Sequence, residues 1–168
     1  MDKLKGYIKE LLPYVVIILV VFFIKLFVVA PIRVNGPSME DTLHDKDIMI
    51  LDEVSYRFSE IKRFDIVVIK YKDDYLIKRV IGLPGEKIEY RDNKLYINDK
   101  FVKEEFSHKI TEDFTSMTIP SNMYFVLGDN RVNSTDSRII GFIDKKDIRG
   151  KTDLIIFPIN RLGSKKVK

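Results

Sequence analysis

The sequence predicts a mainly β protein: an antiparallel β-sandwich or barrel-like domain preceded by one N-terminal transmembrane helix. Three observations predict it. The first is an apolar run, Leu11–Ala30, interrupted by a single charge, Lys25. The second is a body in which β-branched and aromatic residues come in short runs separated by tight-turn pairs. The third is composition: 168 residues, 45% hydrophobic and 32% charged, with 8 Gly and 6 Pro, which excludes disordered, collagenous and low-complexity chains.

A helix over residues 11–30, at ~1.5 Å per residue, spans about 30 Å, the hydrocarbon thickness of a bilayer. Lys25 lies near its far end, where the side-chain stem reaches the headgroups, and Pro13 lies near its start, where a missing N–H costs little. Lys3, Lys5 and Lys9 precede the run, which places the N-terminus in the cytoplasm and the body outside. A cleavable signal peptide is the competing reading, with Val28, Val29 and Ala30 as the cleavage residues. The run exceeds the usual ~7–15-residue signal core, and Pro31 would make the scissile bond a tertiary imide. The expected organisation is a cytoplasmic segment 1–10, an anchor 11–30, an extracytoplasmic domain 31–160 and a basic tail 161–168.

Within the body, period-2 patterns and β-branched runs predict strands at Ile48–Asp52, Asp65–Tyr71, Leu76–Leu83, Lys87–Tyr90, Lys94–Ile97, Met123–Gly128 and Leu154–Phe157. Turn pairs punctuate them at Asp73-Asp74, Pro84-Gly85, Asp92-Asn93 and Asn98-Asp99. Lys103–Ser121 is the least patterned stretch and reads as a long connection or lid.

The net charge of +4 sits at the ends: +1 over residues 1–10, +4 over 161–168 and −1 between them. A near-neutral body carries no footprint for nucleic acid, and the basic tail reads as a solvated end able to touch anionic lipid. The absence of cysteine excludes disulfides, thiolate metal sites and a cysteine nucleophile. With only two histidines, His44 and His108, the sequence predicts neither a metal nor a cofactor.

Three segments carry candidate chemistry. Gly36-Pro37-Ser38 suggests a sharp bend exposing the Ser38 hydroxyl, although a serine in a turn is commonly a cap. A serine nucleophile needs a base, and neither His44 nor His108 has local support for that role. Lys78 shares a strand face with Leu76 and Val80, while Ile77, Arg79 and Ile81 take the other. Burial among aliphatics would lower its pKa, as a base lysine requires; the pattern equally allows Lys78 to face solvent. Ser59-Glu60-Ile61-Lys62 matches an S-x-x-K pattern without its companion motifs. The third segment, Gly128–Arg138, packs two acids, two arginines, two asparagines and two serines after an apolar strand. Asp129 and Asp136 allow a glycosidase carboxylate pair, but the neighbouring arginines favour ion pairing.

In order along the chain, the anchor, Gly36–Leu43, Phe64–Val68, Ile77–Glu86, Gly128–Arg131, Asp136–Arg138 and Ile148–Lys151 resemble the bacterial type I signal peptidases, in their compact Gram-positive form. The resemblance implies a membrane-bound endopeptidase, without cofactor, that removes signal peptides from exported preproteins. It implies Ser38 as nucleophile, Lys78 as general base and Ser134 as the hydroxyl orienting the lysine. Asp129, Asp136 and Arg138 match the supporting network, and Met39, Leu43 and Ile77 match pockets for small residues at positions −1 and −3 of the substrate. The oxyanion region would comprise the Ser38 N–H and Gly36, a position where some relatives carry a hydroxyl. Asp41 stands where the family usually has proline, and Val132 where it usually has aspartate.

Overall fold

The computed structural model describes residues 2–26, 29–106 and 108–165. Helix α1 (Asp2–Leu26) leads into twelve strands: β1 (Val29–Arg33), β2 (Ile48–Asp52), β3 (Ile66–Tyr71), β4 (Asp74–Gly82), β5 (Lys87–Arg91), β6 (Lys94–Ile97), β7 (Lys100–Val102), β8 (Phe114–Thr118), β9 (Met123–Leu127), β10 (Ile143–Asp144), β11 (Ile148–Phe157) and β12 (Gly163–Ser164). Short helices α2 (Ser55–Phe58) and α3 (Ser137–Ile140) interrupt them.

The strands form two antiparallel sheets. The larger runs β1-β2-β11-β3-β4-β9-β10, with β12 added to β11; the smaller runs β7-β6-β5-β8. Both tight hairpins of the smaller sheet use the pairs marked in the sequence. Asp92 and Asn93 have φ of 51° and 56°, and Asn98 and Asp99 have 49° and 63°, which are left-handed values suited to hairpin turns. Ile81, Ile88, Tyr90, Leu95, Phe125 and Leu127 belong to a core cluster shared by the two sheets.

The structure corrects several expectations. The apolar run is not helical as far as Ala30: Val29–Arg33 pairs antiparallel with Asp52–Ile48. Pro31 has no N–H to give a ladder and is tolerated because β1 is an edge strand. Residues 27 and 28 of the expected anchor lie outside the described residues. From Leu11 to Val21 every side chain of α1 is exposed. Among the described residues no helix is long and apolar enough to cross a membrane.

The expected connection at 103–121 contains β8, which Ile88↔Met117 pairing adds to the smaller sheet. Strand β11 begins six residues earlier than expected because Ile148–Lys151 pairs with β3. The tail is not wholly solvated. Strand β12 pairs with β11, and Arg161 donates from Nε and Nη2 to the buried Asp47 carboxylate, each at 3.0 Å. Residues 166–168 lie outside the described part.

Candidate active site

Residues 37–43 form consecutive tight turns, closed by Glu40 N–H to Pro37 C=O (3.1 Å) and Leu43 N–H to Met39 C=O (2.8 Å). Gly36 enters them at φ +84°, a left-handed conformation open to glycine. Met39 and Leu43 are buried in a cluster with Val34, Met49, Ile66 and Ile155, so apolar packing beneath the turn fixes where Ser38 projects.

Lys78 comes from β4, whose neighbours are β3 and β9. It is 2% exposed, which decides the question the pattern left open. Its Nζ donates to Ser38 Oγ at 2.8 Å and to Ile77 C=O at 2.9 Å. Desolvation pushes the lysine pKa down to about 8, against the opposing pull of the Asp136 and Asp129 carboxylates. A lysine so placed supplies an appreciable neutral fraction near neutral pH, and its lone pair can take the Ser38 proton.

Alternation sends Arg79 to the opposite face. There it meets Asp129 in a pair closed to solvent on both sides, with Nε to Oδ1 at 2.9 Å and Nη2 to Oδ2 at 2.6 Å. Thr42 Oγ1 donates to Asp129 Oδ2 at 2.5 Å, tying the turn after Ser38 to the same carboxylate. Asp136 accepts from Gly128 N–H at 3.1 Å and from Arg138 Nε at 2.9 Å, and it caps α3. Each acid is committed to an arginine, as the ion-pair reading expects.

Asn130 was not singled out in the sequence, yet it grips the nucleophile turn twice. Its Nδ2 donates to Pro37 C=O and its backbone N–H to Ser38 C=O, both at 3.1 Å. The only local signal was the polar density of the loop. Arg161 also went unmarked; its Nη2 donates to Thr42 C=O at 3.2 Å.

Two expected contacts are placed differently. Ser134 Oγ is buried without a hydrogen-bond partner among the described residues, and Lys78 Nζ uses Ile77 C=O instead. Ser134 packs against Gly128, where a β-carbon would collide with its hydroxyl. Leu43 is fully buried beneath the turn and does not line the groove beside Ser38. Met39 and Ile77 do line it, with Ile32, Val34, Leu51 and Val68, in a volume of about 550 Å³ that includes Ser38 and Lys78. Val132 is exposed, and Asp41 Oδ1 lies 3.6 Å from Lys109 Nζ. Ser59 and Lys62, from the S-x-x-K match, are exposed and line a separate cavity.

A serine hydroxyl held on a buried, desolvated lysine beside an open groove is what acyl transfer by a serine hydrolase with a lysine base requires. Comparison with known proteins identifies the chain as a peptidase. The family model described as "Signal peptidase, peptidase S26" matches residues 7–157, and the chain belongs to this family of peptidases. It is 39% identical to a signal peptidase I of Bacillus caldolyticus over 90% of this chain and 92% of the relative. It is 44% identical to signal peptidase I V of Bacillus subtilis (strain 168) over 70% of this chain and 80% of the relative. A crystal structure of a signal peptidase I from Enterococcus faecalis V583 matches with a TM-score of 0.50 at 37% identity, covering 55% of this chain and 97% of that one.

Proposed function

We propose that the protein is a membrane-anchored serine endopeptidase that removes N-terminal signal peptides from exported preproteins. The observation that carries this reading is the 2.8 Å contact from Lys78 Nζ to Ser38 Oγ beside the groove that Met39 and Ile77 line. Neutral Lys78 takes the Ser38 proton as Oγ attacks the scissile carbonyl carbon. The Ser38 N–H, at the turn opened by Gly36, donates to the oxyanion. The C–N bond then breaks, the proton on Lys78 passes to the leaving amine, and an ester to Ser38 remains. Water gives a proton to Lys78 and attacks that ester; the acid is released as Lys78 passes that proton to the departing Ser38 Oγ, restoring the hydroxyl and the neutral amine.

The substrate lies extended in the groove, where main-chain bonds supply affinity and shallow pockets supply selectivity. Met39 and Ile77 form walls that suit small side chains at positions −1 and −3, and Leu43 supports Met39 from below. Asp129, Asp136 and Arg138 hold the loop behind Ser38, and Ser134 acts through its packing on Gly128.

The exposed apolar surface of α1 from Leu11 to Val21, continued in sequence to Ala30, supports the anchor at 11–30. Lys3, Lys5 and Lys9 support a cytoplasmic segment 1–10, with the domain 31–160 and the tail 161–168 on the outer face of the cell membrane. Tethering raises the effective concentration of substrates presented at the bilayer. Detergent-solubilised protein is expected to convert a preprotein to its mature form, and the Ser38→Ala variant to leave it uncut. Turnover by that variant would assign the chemistry to another nucleophile. Protease added to intact protoplasts should digest the domain; complete protection would reverse the topology.

A further inference from the structure

Residues 103–106 and 108–111 contact both the smaller sheet and the loop behind Ser38, and one of them carries a buried carboxylate. The Glu104 side chain is 4% exposed. Its Oε1 accepts from Arg131 Nη2 at 2.6 Å and from Tyr90 OH at 2.7 Å, and its Oε2 lies 3.4 Å from His108 Nε2. The Arg131 guanidinium is closed to solvent. It donates to Tyr90 OH at 2.9 Å, to Thr111 Oγ1 and, from Nε, to Gly128 C=O at 3.0 Å. Gly128 in turn lies against the Ser38 carbonyl and Ser134 Oγ, and Lys109 N–H donates to Asp129 C=O at 3.0 Å.

These contacts make one route from β5 to Ser38: Tyr90 and Glu104 hold Arg131, Arg131 holds the Gly128 carbonyl, and Gly128 packs against the Ser38 carbonyl. We infer that Glu104 is a positioning residue for Ser38 and Lys78, acting through Arg131 and Gly128; this rests on the Ser38–Lys78 reading given above. A buried guanidinium keeps its place only while a carboxylate neutralises it. Without that partner Arg131 turns toward water and releases the Gly128 carbonyl. The loop is then free to move by the fraction of an ångström that decides whether Oγ meets a carbonyl carbon. Among the described residues none from 103 to 134 lines the groove, so the effect falls on the chemical step and leaves substrate binding in place.

The test is Glu104→Gln, which keeps the shape and removes the charge. A serine-directed acylating reagent is used under saturating conditions, with Ser38→Ala as control. The amplitude of acylation counts competent sites, and its rate constant reports the nucleophile in each. The expected result is an amplitude near one per chain with the rate constant lowered roughly 10–100-fold, and a preprotein KM within about twofold of wild type. A rate constant at the wild-type value, whether or not the amplitude falls, would make Glu104 a fold-stabilising residue only and overturn the inference. Acylation of Ser38→Ala would instead overturn the reading on which it rests. If Glu104→Gln does not fold, Glu104→Asp is measured the same way. It keeps the charge at a longer reach, and a loss of about 3–10-fold per competent site is expected; no loss would overturn the inference.

Discussion

The backbone of Gly128 lies directly against the carbonyl oxygen of Ser38, so close that a β-carbon at position 128 would overlap it. The collision is with main chain, which cannot rotate away as a flexible side chain could. Gly128→Ala is therefore expected to push the loop and the nucleophile turn apart. The predicted cost is roughly 100-fold in kcat and about 1–3 kcal/mol in stability. Steady-state cleavage and denaturant unfolding check both, and a rate within about twofold of wild type would refute the contact.

In the proposed mechanism the neutral form of Lys78 accepts the Ser38 proton, and burial pushes the lysine pKa down to about 8. Activity should therefore rise with pH, with kcat/KM climbing through a limb centred near that value. Lys78→Arg should be inactive at every pH, because guanidinium keeps its proton. A profile flat from about pH 6 to 10 would remove Lys78 from the role of base.

The same depression has a cost in stability. Below the folded-state pKa the protein holds a charged lysine in a site that disfavours it, and the unfolded chain does not. Lys78→Met should thus be more stable than wild type at pH 7, by up to about 3 kcal/mol. The advantage should shrink as pH rises from about 8 toward 10.5, the ordinary lysine value, above which wild type is neutral in both states. Urea unfolding of the two proteins at pH 7 and pH 10 measures it, and a pH-independent difference would contradict the sign.

Arg79 and Asp129 form a pair with no exposure on either side. Arg79→Met leaves the Asp129 carboxylate buried with Thr42 Oγ1 as its remaining side-chain donor. The expected loss is about 3–5 kcal/mol, larger than for replacing both members with apolar residues. Calorimetry of the single and double variants tests that inequality.

Strands β2 and β6 could be read to the residue, and β3, β4, β5 and β9 to within about two residues at either end, because period-2 burial and β-branched runs act locally. Strands β1, β10 and β12 could not. They are short, β1 contains Pro31, and each exists because a partner strand offers an unpaired edge. Strand β8 hid for the same reason, in a stretch whose residues alternate poorly. At the site, Ser38, Lys78, Asp129 and Asp136 were legible as residues, while Asn130, Glu104 and Arg161 were not. A side chain whose whole role is one contact across the fold leaves no periodic trace.

The sequence by itself determined the kinds of segment and the supply of chemistry: an apolar N-terminal run, short strands with tight turns at Asp92-Asn93 and Asn98-Asp99, a serine in a glycine-led turn, and a lysine between aliphatics. These follow from conformational preference and spacing along a few residues. Only the tertiary structure decided that Lys78 is buried, that it meets Ser38 across 40 positions, and that Arg79 beside it pairs with Asp129 across 50. It also decided that the Ser134 hydroxyl is buried against Gly128. Dehydration of a charge and the choice of its partner depend on which distant segments pack over it, and that is settled when the sheets close.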